Sequence, residues 1–367
     1  SQFEGRIVKP VSRLTLFVVG AFSLFIVLLL GGRVFFLQIS EGEAYSAWSE
    51  ENRLRHTLLF AERGIVYDRN GEEIAWNEAG EETFARRMYA EAPGLSHLLG
   101  YIGYPLKDSS GNYYAEESRG MDGIERLYDE LLKGSNGLKI VETDAVGAVR
   151  SESVVRAPRH GESLTLSIDA RVTEAFFRFI ETSARIHDFS GGSGAIMDVQ
   201  SGELLALTSY PEYSSQVLSD GAPLLSIEQY RTSPDKPYLN HVTSGLYTPG
   251  SIVKPFIAIG VLEEGVISPE KQILSTGSIS IPNPFFPGRY SGFNAWRAHG
   301  WVDLRHAIAV SSDVYFYEVG GGFGDQKGIG IDGIDKYMRF FGFGREVGLG
   351  LAPEPPGTIP TPLWKAE

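Results

Sequence analysis

An uncharged apolar run near the amino end constrains the fold of this chain more than any other feature. It covers residues 14–32 and reads LTLFVVGAFSLFIVLLLGG. As an α-helix the run would be roughly 29 Å long, which matches the hydrocarbon thickness of a bilayer, about 30 Å. We therefore predict one transmembrane helix over residues 14–36, preceded by a short tail at residues 1–13.

Flanking charges predict how this helix is oriented. The basic residues Arg6, Lys9 and Arg13 precede the run, and the acidic residues Glu41, Glu43, Glu50 and Glu51 follow it. By the positive-inside rule, the amino end is cytoplasmic and the remainder lies outside the cytoplasmic membrane. A cleaved signal peptide is the alternative, but the run is longer than a signal h-region and ends in GGRVFF without a small-x-small cleavage site.

We expect the chemistry in residues 245–256, GLYTPGSIVKPF. A Pro-Gly turn ends the extended chain, and Ser251 is placed as an N-cap serine that opens an apolar helix. Ser251 and Lys254 then share one helix face. A hydroxyl becomes a good nucleophile beside a base, and lysine is a base only when neutral, which burial against an apolar flank favours. The alternative is an ordinary helix cap followed by an exposed lysine.

The spacing alone carries little information. About one Ser-x-x-Lys is expected by chance in a chain this long. Ser233 and Lys236 have the same spacing, but Pro and Asp lie between them and no apolar helix follows. That pair is predicted to lie in a solvated loop.

Residues 37–160 are predicted to form a mixed α+β pedestal between the membrane and the catalytic unit. Residues 44–54 are predicted to be helical, and Asn70-Gly71 predicts a hairpin between residues 64–69 and 72–76. Apolar residues at helical spacing predict one amphipathic helix over 121–133, ended by Gly134. Residues 138–155 alternate loosely and predict one or two strands.

The catalytic unit is predicted to cover residues 161–367. Residues 167–169 can cap a helix that continues past Ile180 and ends at 188–192. Residues 194–199 and 203–208 predict two strands joined by a turn, apolar on both faces and hence covered by helices. A helix, a buried hairpin and a serine on a buried helix indicate an α/β or α+β enzyme domain.

Several motifs, taken together and in this order, resemble those of class B penicillin-binding proteins. They are RGIVYDRNG at 63–71, GIE at 123–125, MDVQSGELLA at 197–206 and YTPGSIVK at 247–254. The sequence SSDVYFY at 311–317 further resembles the elongation transpeptidases, the penicillin-binding protein 2 branch. The similarity extends from the apolar run to the carboxyl end.

This resemblance implies a penicillin-binding, β-lactamase-like transpeptidase fold and a peptidoglycan D,D-transpeptidase. Ser251 would attack a D-Ala-D-Ala stem peptide, Lys254 would be the general base and Ser311 would relay protons. Asp313 stands where many members have asparagine and would orient Lys254. β-Lactams would acylate Ser251, and the implied partners are a RodA-type SEDS glycosyltransferase and an MreC-type scaffold, without a cofactor.

Asp313 raises a conflict in this assignment. An aspartate near Lys254 favours the charged ammonium, which opposes a neutral base. A protonated Asp313, or one that makes its hydrogen bonds away from Lys254, would remove the conflict. A helix cap is the alternative role for this Ser-Ser-Asp sequence.

The chain departs from the family pattern in three ways. No Lys-Thr-Gly or Lys-Ser-Gly occurs, and Ser-Thr-Gly at 275–277 comes too early, so the carboxyl part of the domain is expected to be missing. The stretch from Trp76 to residue 100 is short, which predicts a reduced pedestal. Some members bind zinc through Asp, His and Cys, whereas here His299 alone resembles a ligand; we predict that it is hydrogen-bonded structure and that there is no metal site.

Composition restricts the other functions. The net charge of −13 argues against a nucleic-acid partner, and the absence of cysteine excludes disulfides and thiolate metal sites. Two alternatives to the enzyme stay open: a β-lactam sensor, or an inert scaffold that regulates a membrane glycosyltransferase. A hydrolytic β-lactamase would not need a pedestal of this length.

Overall fold

The structure is a computed structural model that describes residues 12–43, 54–80, 83–143, 149–283, 285–351 and 353–366. The helix predicted at residues 44–54 therefore lies almost wholly outside the described residues. The helices are α1 (Arg13–Phe35), α2 (Ser96–Leu99), α3 (Gly123–Leu127), α4 (Asp129–Leu132), α5 (Ala170–His187), α6 (Ser215–Asp220), α7 (Leu224–Thr232), α8 (Lys254–Glu263), α9 (Leu304–Ala309), α10 (Asp313–Gly321), α11 (Gly330–Phe340) and α12 (Pro362–Ala366). A π-helical turn spans Phe36–Ser40 and a 3₁₀ turn spans Gly250–Val253.

The strands are β1 (Leu54–Leu59), β2 (Val66–Tyr67), β3 (Glu73–Glu78), β4 (Arg86–Tyr89), β5 (Ile102–Gly103), β6 (Leu106–Lys107), β7 (Tyr113–Ala115), β8 (Arg119–Gly120), β9 (Gly137–Thr143), β10 (Val149–Arg156), β11 (Leu164–Thr165), β12 (Gly192–Met197), β13 (Leu204–Tyr210), β14 (Ile273–Ser275), β15 (Ser278–Pro282), β16 (Tyr290–Asn294) and β17 (Gly300–Val302).

The chain divides into two compact units. The first contains residues 1–62, 79–85 and 134–161, and the second contains 63–78, 86–133 and 162–367. The predicted boundary at residues 160 and 161 stays a prediction.

The first unit contains α1 and a three-stranded antiparallel sheet. Ser12 caps α1 by accepting a hydrogen bond from the Thr15 amide at 3.1 Å. The helix is long and apolar enough to cross a membrane, and it contains residues 14–35 of the predicted span. The sheet has the order β1-β9-β10, which confirms the strands predicted at 138–155.

In the second unit, a four-stranded sheet has the order β11-β2-β3-β4, with β11 parallel to β2 and the other pairs antiparallel. The predicted Asn-Gly hairpin joins β2 to β3. The Asp68 carboxylate accepts hydrogen bonds from the amides of Asn70 (2.7 Å) and Glu72 (3.0 Å), and Gly71 takes a positive φ of 81°.

The single helix predicted over 121–133 is wrong, because the segment forms α3 and α4 with a break at Tyr128. Ile124 and Leu132 are both buried, whereas Leu127 and Tyr128 between them are each 40% exposed. Both ends of the segment are therefore buried in the core. This packing outweighs the propensity of the segment to form one continuous helix.

A cluster of buried charges connects this segment to the sheet. The Glu125 side chain accepts hydrogen bonds from Arg63 Nε at 2.9 Å and from Arg87 Nε at 2.7 Å, and Arg63 also pairs with Asp129 at 2.9 Å. Glu125 is completely buried, so its two guanidinium partners replace the water that its carboxylate loses.

The predicted helix and hairpin at the start of the catalytic unit are α5, β12 and β13. Asp169 caps α5 through the amides of Arg171 and Val172. Phe176 and Ile180 of α5 pack directly on Gly194 and Gly192 of β12, where a Cβ would clash. The alternate residues of β12 are exposed, so the expected burial on both faces is wrong for β12, since α5 covers only the glycine face.

A second core holds the elements that carry the candidate site. Buried side chains from α8, α9, α10, β14 and β17 pack together; they include Ala258, Val261, Ile273, Val302, Leu304, Ala307, Tyr315, Phe316 and Val319. The predicted packing of the helix that follows Ser251 is confirmed, since α8 contributes buried residues to this core. This packing sets the distance between α8 and α10.

We expect Glu125→Gln to lower the free energy of unfolding by about 3 kcal/mol or more, because the buried Arg87 loses its counter-charge and the buried Arg63 keeps only Asp129. Chemical denaturation measures this loss. Glu130→Gln is the matched control, since the Glu130 side chain is 89% exposed beside Lys133; its pair contributes about 0–1 kcal/mol. Equal stability of the two variants would contradict a stabilising role for the cluster.

His97 predicts a loss of stability in mild acid. Its ring is buried, and burial first, then the nearby His241, lower its pKa to about 4. The unfolded chain therefore binds a proton between pH 6.5 and 4 that the folded chain does not, so stability falls as the pH falls. Going from pH 7 to pH 5, His97 should remove about 2 kcal/mol. Denaturation of His97→Gln should lack this part of the pH dependence, whereas the exposed control His187→Gln should keep it.

Candidate active site

Ser251 lies in the 3₁₀ turn Gly250–Val253, directly before α8. Gly250 has a positive φ of 62°, and the Lys254 amide closes the turn on the Ser251 carbonyl. The N-cap role predicted for Ser251 is wrong, because the tight turn begins earlier and no side chain caps it. Ser251 is exposed to solvent, just before the amino end of α8.

Lys254 is the buried cation of this site, with 8% of its surface exposed. Its Nζ donates hydrogen bonds to the Ser311 carbonyl at 2.9 Å, to Ser311 Oγ at 3.0 Å and to Asp313 Oδ1 at 2.6 Å. It also lies 5.7 Å from the centre of the Phe316 ring. Three of the four predicted residues, Lys254, Ser311 and Asp313, are thus in direct contact. The fourth, Ser251, lies in the turn just before Lys254.

Asp313 points toward Lys254, which bears on the conflict that the sequence raised. The contact is an ion pair of 2.6 Å, so an Asp313 that makes its hydrogen bonds elsewhere is not the arrangement found. Across the described part of the chain, no hydrogen bond joins Ser251 Oγ to Lys254 Nζ. The lysine is held by α10 and its preceding turn instead of by the neighbouring serine.

Ser311 and Ser312 divide two tasks between them. Ser312 caps α10 by accepting from the Tyr315 amide at 3.4 Å, and its hydroxyl meets the buried Ser275 hydroxyl at 3.1 Å. Ser311 has a left-handed backbone with φ of 54°. A left-handed conformation is unfavourable for a residue with a Cβ, and here it turns both the carbonyl and the hydroxyl of Ser311 toward Lys254.

His299 lies near this cluster without joining it. Its amide donates to the Ser275 carbonyl at 3.0 Å, and its ring packs edge-on against Trp296 with centroids 5.0 Å apart. The amide thus makes a hydrogen bond of the kind predicted for His299, whereas the ring Nε2 is buried without a partner in the described structure. Burial first, and then the charges of Arg297 and His306, lower the pKa of His299. Among the described residues, no group of three or more His, Cys, Asp or Glu side chains is placed to hold a metal ion.

The helix cap that was the alternative role for Ser-Ser-Asp is found at Ser312, which caps α10. Sequence reasoning missed Ser275 as a support of the site. Ser275 had no local sequence signal, because its contact depends on how β14 packs against α10. The Ser233–Lys236 pair lies in a loop after α7, as predicted.

Comparison with known proteins identifies the family. Residues 192–367 match the model of the penicillin-binding protein transpeptidase domain, and residues 81–166 match that of the penicillin-binding protein dimerisation domain. Peptidoglycan D,D-transpeptidase MrdA of Haemophilus influenzae is 32% identical over 77% of this chain and 42% of the relative's length. The MrdA protein of Escherichia coli K12 is 30% identical over 77% of the chain and 43% of its own length.

The chain belongs to the penicillin-binding protein family. The resemblance to its class B, elongation-type members is thereby confirmed. This family member spans less than half the length of the curated relatives that it matches.

Solved structures agree with the assignment. PBP2 of Pseudomonas aeruginosa, in complex with WCK 5153, gives a TM-score of 0.65 at 28% identity and covers 85% of this chain and 62% of its own. PBP2 of Helicobacter pylori, in complex with MreC, gives a TM-score of 0.66 at 25% identity, with 85% and 69% covered. The transpeptidase fold predicted from the sequence is therefore confirmed.

The strain at Ser311 can be tested in this penicillin-binding protein by two substitutions that remove the same hydroxyl. We expect Ser311→Gly to be more stable than Ser311→Ala by about 1 kcal/mol, because glycine accepts a positive φ and alanine does not. Chemical denaturation of both variants gives the difference. An alanine variant that is as stable as the glycine variant would contradict a strained backbone at this position.

Proposed function

We propose that this protein is a membrane-anchored peptidoglycan D,D-transpeptidase, with Ser251 as nucleophile, Lys254 as general base, Ser311 as proton relay and Asp313 as the residue that orients Lys254. The observation that carries the proposal is the buried Lys254, held by Ser311 and Asp313 beside an exposed serine. The MrdA relatives, named as peptidoglycan D,D-transpeptidases, support it.

The reaction would proceed in two acyl transfers. Ser251 Oγ attacks the carbonyl carbon between the two D-alanines, and its proton passes to Lys254. The C–N bond breaks, the departing amine of D-alanine takes a proton by way of Ser311, and the peptide remains as an ester on Ser251. The amine of a neighbouring stem peptide then attacks the ester carbonyl and gives a proton to Lys254. The ester C–O bond breaks, Ser251 Oγ takes that proton back, and the new amide is the cross-link.

Lys254 must be neutral when it accepts the proton. A bound substrate would cover the Lys254–Asp313 pair and exclude water from it. Removing water from a pair of opposite charges disfavours the charged forms of both groups. Asp313 orients Lys254 through the hydrogen bond from Lys254 Nζ to Asp313 Oδ1 at 2.6 Å.

We further propose that α1 spans the cytoplasmic membrane once with the amino end inside and the catalytic unit outside. The apolar helix and the basic residues before it support this orientation. A RodA-type glycosyltransferase and an MreC-type scaffold are the proposed partners. The H. pylori relative in complex with MreC supports the second of these.

The decisive test is covalent labelling of the full-length protein by a fluorescent penicillin, read from a denaturing gel. We expect label on the parent and none on Ser251→Ala, because β-lactam acylation needs the same nucleophile. Lys254→Gln should label more slowly by about a hundredfold or more, the usual size of a general-base contribution.

Ser233→Ala is the matched control, since Ser233 has the same spacing to a lysine and lies in a loop. It should label like the parent. A folded parent without label would refute the nucleophile assignment and favour an inert scaffold. Label on the parent without cross-linking of stem peptides would favour a sensor.

A further inference from the structure

His241 and Tyr247 form a side-chain pair just ahead of the nucleophile. His241 Nδ1 is hydrogen-bonded to the Tyr247 hydroxyl. The two rings are inclined by 30°, with their centroids 6.1 Å apart. Tyr247 belongs to the segment of residues 245–249, which leads directly into the 3₁₀ turn of Ser251. Neither side chain belongs to the predicted catalytic set.

Two contacts hold His241 in place. Its amide donates to Ser209 Oγ at 3.0 Å, and Ser209 is fully buried on β13. Its Nε2 is packed against Gly191, at 3.0 Å from the place where a Cβ would lie. Burial, and then the charge of Lys236, lower the pKa of His241, so the imidazole is neutral at neutral pH.

Tyr247 gets little support from the core, because 64% of its surface is exposed. Its ring folds back over Gly245. A Cβ at Gly245 would lie 2.4 Å from Tyr247 Cε2 and 2.6 Å from its hydroxyl oxygen, so this position must be glycine for the ring to reach His241.

The segment 245–249 has few other restraints. Before it, the Ser244 amide donates to Asn240 at 2.8 Å; after it, the Lys254 amide donates to Ser251. Between these points, the hydrogen bond of Tyr247 to His241 is the one that the described structure records for these residues. A segment tethered at one place depends on that tether for its position.

We propose that His241 is a positioning residue, which through Tyr247 holds the segment that presents Ser251 and thereby sets the rate at which Ser251 is acylated. This inference rests on the proposed function of Ser251. Neither His241 nor Tyr247 takes part in the proton transfers.

The test is the second-order rate constant for acylation of the full-length protein by a fluorescent penicillin. We expect Tyr247→Phe and His241→Ala each to lower it by about threefold to tenfold, the effect of losing one hydrogen bond. The double variant should be no slower than the slower single variant, because both remove the same contact.

His241→Asn separates positioning from general damage. The asparagine amide can accept or donate near the position of Nδ1, so the acylation rate should return to within about twofold of the parent. His187→Asn, at an exposed position on α5, is the matched control and should acylate like the parent.

Thermal unfolding, which does not depend on penicillin, is also measured for the parent, Tyr247→Phe, His241→Ala and the double variant. A non-additive cycle in both readouts supports the inference. A non-additive unfolding cycle with parental acylation rates would overturn it, since the bond would then stabilise the fold without positioning Ser251. A parent that takes no label refutes the proposed function. The unfolding cycle then tests only the contact between His241 and Tyr247. A non-additive cycle supports this contact, and an additive cycle overturns it.

Discussion

The ion pair between Lys254 and Asp313 is the interaction on which the candidate site depends. It joins the first residue of α8 to the first residue of α10, and both helices are packed against the same buried core. A lysine with 8% of its surface exposed needs nearby acceptors, because an unpaired buried ammonium is costly. The carbonyl and hydroxyl of Ser311 supply the remaining two.

Ser311 can serve Lys254 because its neighbour performs the structural task. Ser312 caps α10 and meets Ser275 in the core, which fixes the helix end. The chain then reaches Ser311 in a left-handed conformation that local sequence preference would not choose. The strained backbone thus belongs to a residue that contacts the buried lysine. Strained residues in enzymes often lie at the active site.

Charge burial recurs outside the site with a different consequence. Glu125 is enclosed by Arg63 and Arg87, and this cluster holds α3 against the sheet of β2, β3 and β4. The residues of two sequence motifs, at 63–71 and 123–125, thereby meet in one place. Their contribution is to the framework of the second unit, whereas the Lys254 cluster lies beside an exposed serine and is proposed to carry the chemistry.

The sequence by itself determined the apolar helix, the Asn-Gly hairpin and the capped helix α5, and it predicted Ser251, Lys254, Ser311 and Asp313 as the candidate site. Each of these depends on periodicity, turn chemistry or a motif, which act over a few neighbouring residues. Only the tertiary structure decided the break between α3 and α4, the exposed face of β12, the direction of Asp313 and the contact of His241 with Tyr247. These depend on which surfaces pack together, and residues far apart in sequence supply that information.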